Sequence, residues 1–212
     1  MLTLYIYEHC PFCARVRYVA GLLQIPFQEK VLAYDDVDTP TRLVGKKAVP
    51  ILQKENGEAM AESMDIIHYF LNLRIPAAPE LSLSEDVANW QTEAFPLLQK
   101  VGYPRWSSLG LGEFLTLSSR ETWQKNKETD VLNFERLMAD SKEIAAQVSQ
   151  HIARVESLLF PSQGIPTLID EAVIYSLLRG WVCQPEIEWP EAVMTWLRRR
   201  SLATGVSVMM AD

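Results

Sequence analysis

The chain has 212 residues, enough to bury a core as one large or two small domains without metal or disulfide staples. Its 48% hydrophobic and 22% charged composition is that of an ordinary globular protein, and a net charge of -7 argues against a surface that neutralises nucleic-acid phosphates. Three cysteines are too few, and odd in number, for a disulfide scaffold, so a reducing compartment is expected.

The first residues, MLTLYIYEHC, lack a basic start followed by a cleavable apolar segment, and no apolar run is long enough to span a bilayer. A cytoplasmic protein with no membrane partner is the expectation. Leu2 to Tyr7 reads as a short buried strand. Pro11 suits a first helical turn, and Val16, Val19, Ala20 and Leu23 recur behind it at helical spacing. Gly21 weakens this helix slightly, and Ile25-Pro26 is expected to close it.

A second strand is predicted from Phe27 to Leu32, and Ala33 to Ala48 reads as a loop around a short helix at best. Val49-Pro50-Ile51-Leu52 begins a third strand, where Pro50 sits most cheaply at the start. Glu55-Asn56-Gly57-Glu58 predicts a hairpin turn into Ala59-Met60, and Ser63, Ile66, Ile67, Phe70 and Leu71 give a helical stripe. The order is β-α-β, loop, β-β-α.

Residues 75–79 are the best boundary, because prolines and small residues follow a finished helix. Residues 1–74 then form an α/β domain and 80–212 a helical one, which carries most of the negative charge and all six tryptophans. Ser118 with Glu121, Asp140 with Glu143, and Thr167 with Asp170 have capping-box spacing, and Pro190 is placed to open the last helix.

The strongest chemical signal is Cys10-Pro11-Phe12-Cys13, between a predicted strand and a helix start. Two intervening residues let the thiols approach, so an attack by one can be resolved by the other. Unpaired N–H groups and the positive end of the helix dipole favour a thiolate at Cys10, and each unit of lowered pKa is worth about 1.4 kcal/mol. Cys13, one turn in, is expected to be less exposed and to resolve. Arg15 and Arg17 add positive charge nearby or face solvent.

Three alternatives stand beside this chemistry. Cysteines at this spacing, adjoined by His9, are half of many zinc sites, although His68, His151 and Cys183 form no second cluster and no metal is expected. The pair is otherwise inert and buried, or belongs to a fold kept for binding alone. Val49-Pro50 is either an edge-strand feature or a cis turn that offers Val49 backbone groups to an extended thiol peptide. Glu62-Ser63 reads as a helix cap with Asp65 in its acidic first turn, to which a functional reading adds a ligand carboxylate at the helix N-terminus and an ammonium met by Glu62 or Asp65, and the two readings are compatible. Lys46 and Lys47 read as solvated, with a substrate carboxylate as the lesser alternative, Cys183 as a core side chain, and Trp90 or Trp106 as a candidate lining for a cleft between domains.

Cys10-Pro11-Phe12-Cys13, Thr39-Pro40-Thr41-Arg42, Gly45-Lys46, Val49-Pro50-Ile51-Leu52 and Glu62-Ser63-Met64-Asp65-Ile66 together resemble the bacterial glutaredoxin 2 family. The resemblance is strong over residues 1–74 and thinner beyond. It implies a thioredoxin-like N-terminal domain, a helical glutathione-transferase-like second domain, and glutathione bound between them as reducing cosubstrate. It further implies Cys10 as nucleophile, Cys13 as resolving thiol, Val49 as the backbone contact before a cis Pro50, and Glu62 and Ser63 as holding the γ-glutamyl end. A monomer acting on glutathionylated or disulfide-containing proteins is expected. Two positions depart from the family: its active-site tyrosine is Phe12 here, and an expected serine cap falls at Leu168, beside Thr167. A glutathione transferase remains the enzymatic rival, and a glutathione-binding module without turnover the other.

Overall fold

A computed structural model of the chain describes residues 1–76, 81–162 and 164–210. β1 (Leu2–Ile6) enters the core with Leu4 and Ile6 fully buried, and Pro11 opens α1 (Pro11–Leu22). This helix stops short of the Ile25-Pro26 pair. Gln24 turns left-handed (φ 51°), and the N–H groups of Gln24 and Ile25 donate to the carbonyls of Gly21 and Ala20 at 3.2 and 2.9 Å. Such a turn satisfies the last helical carbonyls and usually employs glycine.

β2 (Phe27–Val31) ends one residue before the expected Leu32, and α2 (Asp38–Val44) occupies much of the predicted loop. β3 (Ile51–Gln53) starts two residues later than predicted, since Pro50 has no N–H to give to a ladder. The hairpin turn to β4 (Ala59–Met60) closes with Lys54 N–H donating to the Glu58 carbonyl at 2.8 Å, and Gly57 takes φ 86°. α3 (Ser63–Arg74) follows. The strands lie in the order β2-β1-β3-β4, with β1 parallel to β2, and β3 antiparallel to both β1 and β4. Tyr5 pairs with Lys30 on one side and Ile51 on the other, so β1 is central and α1 is the crossover that its parallel pairing requires.

The expected linker 75–79 falls partly on residues 77–79, which lie outside the described residues. Beyond it come α4 (Glu85–Gly102), two 3-10 turns (Trp106–Ser108 and Gly112–Phe114), α5 (Leu117–Lys127), α6 (Phe134–Ala139), α7 (Ser141–Leu159), α8 (Leu168–Trp181) and α9 (Glu191–Thr204). Every residue from Ala172 to Trp181 is buried, making α8 the axis of the helical part. Its capping box is formed as the spacing predicts: Asp170 N–H donates to Thr167 Oγ1 at 3.0 Å and Thr167 N–H to Asp170 Oδ2 at 3.4 Å. Asp170 Oδ1 also accepts the Ser84 N–H at 2.9 Å, tying the cap of α8 to that of α4.

The other two capping predictions fail for identifiable reasons. α5 is capped by Thr116, not Ser118; Ser119 donates its N–H to Thr116 Oγ1 at 3.2 Å while its hydroxyl reaches Asp35 at 2.5 Å, a contact 84 residues away in the chain. Asp140 does precede α7, but it also ends α6 with near-helical backbone (φ -84°, ψ 12°) and makes no side-chain cap. Pro190 directly precedes the last helix, as expected.

The α/β and helical parts meet along α1, which packs against α8 and α9 as well as α3. Gly21 has a positional reason that composition hides: a Cβ there would lie 2.3 Å from the Thr204 carbonyl oxygen. Tyr18 on the same helix donates to Glu171 at 2.7 Å.

Candidate active site

Cys10 occupies the N-cap position of α1 with extended backbone (φ -68°, ψ 121°), and its carbonyl accepts the Ala14 N–H at 2.9 Å. The sulfur therefore stands where the first-turn N–H groups of the helix are unpaired. Its pKa is lowered from 9.0 to about 6, chiefly by hydrogen bonding from the Cys13 side chain; burial opposes this, and the charge of His9 and the backbone N–H groups of Cys13 and Phe12 assist. Cys13, with no exposed surface, is pushed well above its ordinary value by burial first and then by Cys10. The two thiols share a titration in which the outer one ionises.

Cys10 is little exposed, yet it lines a cavity of about 390 Å³ between the two parts of the chain. The α/β wall carries Tyr7, His9, Phe12, Tyr34, Lys47 and Val49, and the helical wall carries Phe95, Gln99, Tyr103, Trp106, Trp123 and Lys127. Apolar and aromatic side chains with a few convergent polar groups are the usual composition of a small-molecule site. Phe12, 39% exposed, lies 4.8 Å under the Arg15 guanidinium and 5.8 Å from the Phe95 ring.

Of the residues singled out from the sequence, Val49 reaches the cavity with Cys10, and the Val49-Pro50 bond is cis. Pro50, Glu62 and Ser63 are not part of the cavity wall. Ser63 is buried at the first position of α3, and Glu62 before it holds φ 70° and ψ 116° while making no side-chain cap. A left-handed non-glycine residue is costly, by about 1–3 kcal/mol, and such residues cluster at functional sites. Lys46 and Lys47 part company: Lys46 pairs with Glu62 at 2.8 Å on the surface, whereas Lys47 donates to the Tyr34 carbonyl at 2.6 Å with its ammonium 4.6 Å from the Tyr34 ring.

Arg15 is buried and donates to Gln91 at 2.8 Å, while Arg17 pairs with Glu29 at 2.6 Å. Trp106 lines the cavity; Trp90 instead stacks on His151 at 5.2 Å in the core. His68 bonds the Leu81 carbonyl at 3.0 Å, and Cys183 is a core side chain whose thiol burial pushes up to about 11. His9 gives its Nδ1 to Glu113, and among the described residues no group of three or more His, Cys, Asp and Glu side chains gathers to hold a metal.

Sequence reasoning missed Tyr7, Tyr34, Glu113 and Lys127. The Tyr7 hydroxyl is buried without a hydrogen-bond partner among the described residues, and Lys127 lies 5.3 Å from the Tyr103 ring. Only one signal was available for any of them: Tyr7 closes the predicted strand that delivers Cys10, although β1 itself ends one residue earlier, at Ile6.

A thioredoxin-like sheet joined to a bundle of helices across a thiol-bearing cleft defines the glutathione-transferase-like class, and the chain shares that fold with a transferase from Ceriporiopsis subvermispora at a TM-score of 0.67 and 13% identity, covering 96% of each chain. Residues 4–76 match the family model for the glutathione S-transferase N-terminal domain, and residues 86–211 match that for the glutaredoxin 2 C-terminal domain. The chain is 31% identical to glutaredoxin 2 of Escherichia coli K12 over 210 residues, 98% of each. The crystal structure of Salmonella typhimurium glutaredoxin 2 in complex with glutathione superposes at a TM-score of 0.90 with 30% identity, covering 100% of this chain and 99% of that one. The chain therefore belongs to the glutaredoxin 2 family and is a glutaredoxin-type oxidoreductase.

Proposed function

We propose that the chain reduces protein disulfides and glutathione mixed disulfides through Cys10-Pro11-Phe12-Cys13, with glutathione as reducing cosubstrate. The observation that carries this reading is the pairing of opposite shifts at the helix start: Cys10 is lowered to about 6 and Cys13 is raised. At neutral pH the cavity then presents a thiolate backed by a protonated thiol.

The Cys10 thiolate attacks the glutathione sulfur of a mixed disulfide. The substrate leaves as a thiolate that takes a proton, and a Cys10–glutathione disulfide remains. A second glutathione thiolate attacks the glutathione sulfur of that disulfide, releasing oxidised glutathione and restoring Cys10. With a protein disulfide, Cys10 attacks one sulfur and forms a mixed disulfide with it, breaking the substrate S–S bond and expelling the other sulfur as a thiolate that takes a proton. Cys13 then gives up its proton and displaces that sulfur, leaving a Cys10–Cys13 disulfide for two glutathiones to reduce.

The Val49 backbone, at the cavity beside Cys10, pairs with the glutathione backbone as an added strand would. Glu62 and Ser63 hold the γ-glutamyl end, a role supported by the uncapped first turn of α3 and the left-handed Glu62. Residues 1–74 and 80–212 act as the two domains that enclose the cleft, in a cytoplasmic monomer; the end of α3 at Arg74 supports the first boundary. The substrates are glutathionylated and disulfide-containing proteins, and no metal takes part in these steps.

Replacing Cys10 with serine abolishes turnover, while Cys13→Ser keeps deglutathionylation and loses reduction of protein disulfides. Assays of both substrates on the two variants decide it; undiminished turnover by the Cys10 variant refutes the assignment. Conjugation of an electrophile by the Cys10→Ser protein would instead favour transferase chemistry.

A further inference from the structure

The turn that carries Cys10 is held by the helical part of the chain. Glu113, in the 3-10 turn Gly112–Phe114 and with no exposed surface, sets one carboxylate oxygen 2.8 Å from the His9 N–H and 2.7 Å from His9 Nδ1. One residue earlier on each side the arrangement is reversed: the Gly112 N–H donates to Glu8 Oε2 at 2.5 Å. Arg179 on α8 donates to the Glu8 carbonyl at 2.9 Å, and the Tyr34 N–H donates to the Glu113 carbonyl at 3.0 Å. Glu8-His9 and Gly112-Glu113, 104 residues apart, thus exchange carboxylates. Glycine at 112 permits this close approach, since a Cβ there would lie 2.9 Å from Val31 Cγ1 and 3.2 Å from Glu8 Oε2 and would push both side chains aside.

A carboxylate without exposed surface needs donors or an opposite charge. The His9 ring supplies Nδ1, and Glu113 Oε2 has no hydrogen-bond partner among the described residues. Tyr7, Tyr34, Trp106, Phe114 and Trp123 surround the imidazole at centroid separations of 4.7 to 6.1 Å. Packed among these rings with Nδ1 on the carboxylate, the imidazole is held in one orientation.

We propose that Glu113 is a positioning residue for the Cys10 nucleophile: it fixes the His9 ring, Nδ1 towards its carboxylate, so that the charge of the imidazole stands beside the sulfur. The proposal rests on Cys10 being the attacking thiol. Although burial raises the Glu113 pKa, its bonds and charge interaction with His9 bring it below the ordinary carboxylate value, and the charge of His9 lowers the Cys10 thiol. From α1, Cys13 and Arg15 also act on the sulfur; Tyr7 and Tyr34 face it from the end of β1 and the loop after β2, and Lys47 and Lys127 stand in the cavity wall. Glu113 differs from all of these in reaching the sulfur through a chain neighbour.

Alkylation of Cys10 by iodoacetamide across pH, followed by mass spectrometry of the Cys10 peptide in the full chain, tests the proposal. Glu113→Gln is expected to raise the midpoint by about one pH unit, slowing alkylation roughly tenfold at pH 5, below both midpoints. Glu113→Asp restores most of the rate, and His9→Asn raises the midpoint like Glu113→Gln. The double variant Glu113→Gln/His9→Asn shifts no further than either single change, because the effect passes through one ring. Unchanged midpoints in the folded single variants, or additive shifts in the double one, overturn the proposal. If Glu113→Gln is recovered unfolded, His9→Asn decides alone, and an unchanged midpoint is then sufficient to overturn it. Failure of the nucleophile assignment is read separately, as turnover surviving in Cys10→Ser whatever the alkylation profile of Glu113→Gln.

Discussion

At Cys10, geometry and electrostatics agree on one residue type. The helix start offers N–H groups, Cys13 offers a hydrogen bond, and His9 offers charge, against the burial that alone would keep the thiol protonated. The sign of the pH effect on stability follows. Cys10 has a folded-state pKa of about 6 against 9.0, so in the interval between them the unfolded chain binds more protons and stability rises with pH. The contribution is complete above pH 9 and is lost as pH falls through 6. Cys13 is raised, so it opposes this only above 9. We expect the melting temperature of the reduced protein, relative to Cys10→Ser, to climb from about pH 6 to pH 9. Calorimetry under reducing conditions would read it, and a flat difference would show that the thiolate is not favoured by folding. Phe12 bears on the same chemistry because it brings no hydroxyl to the cavity wall, where the buried Tyr7 hydroxyl has no hydrogen-bond partner among the described residues.

At the scale of elements, α1 serves both parts of the chain: its N-terminus carries the thiols while its far end accepts α9 against Gly21. Helix propensity taken alone says that Gly21→Ala stabilises by about 1 kcal/mol. The Thr204 backbone contradicts it, because an added Cβ would meet the carbonyl oxygen at 2.3 Å and the Cα at 2.7 Å, and neither is the end of a flexible side chain. Gly21→Ala is therefore expected to destabilise by about 1–3 kcal/mol, the usual cost of overpacking. Urea denaturation would measure it, and a more stable variant would mean that α9 moves aside freely. Capping follows the same division between local and distant causes. Thr167 and Asp170 form a box that spacing predicts, while α5 is capped by Thr116, which accepts the Ser119 N–H as the Ser119 hydroxyl turns to Asp35.

For the whole molecule, the cleft exists only because the two parts are locked together behind it. The lock includes the exchange between Glu8-His9 and Gly112-Glu113, the Arg15–Gln91 and Tyr18–Glu171 bonds, and the packing of α1 on α8. All six tryptophans lie beyond Arg74, so their fluorescence reports the helical part, whereas alkylation of Cys13 reports the α/β part. We expect fluorescence, far-ultraviolet circular dichroism and Cys13 protection to be lost in one coincident urea transition. Two separated transitions would show that the parts unfold independently and that the interface contributes little.

The amino-acid sequence alone determined the strand-to-helix placement of the cysteine pair, the hairpin, the α3 stripe, the capping box at Thr167 and the helical character of the second part. Each of these is a short-range consequence of periodicity, a missing N–H or a side chain bonding its own neighbourhood, and is complete within a few residues. Tertiary structure decided which residues share the cavity. Lys47 turns into its wall while Lys46 turns out to Glu62, and Tyr7, Tyr34 and Lys127 arrive from three separate segments of the chain. Above all it brought Glu113 to His9 across 104 positions, where a buried carboxylate finds its donors only once both parts have folded. No local spacing rule encodes a partner that distant.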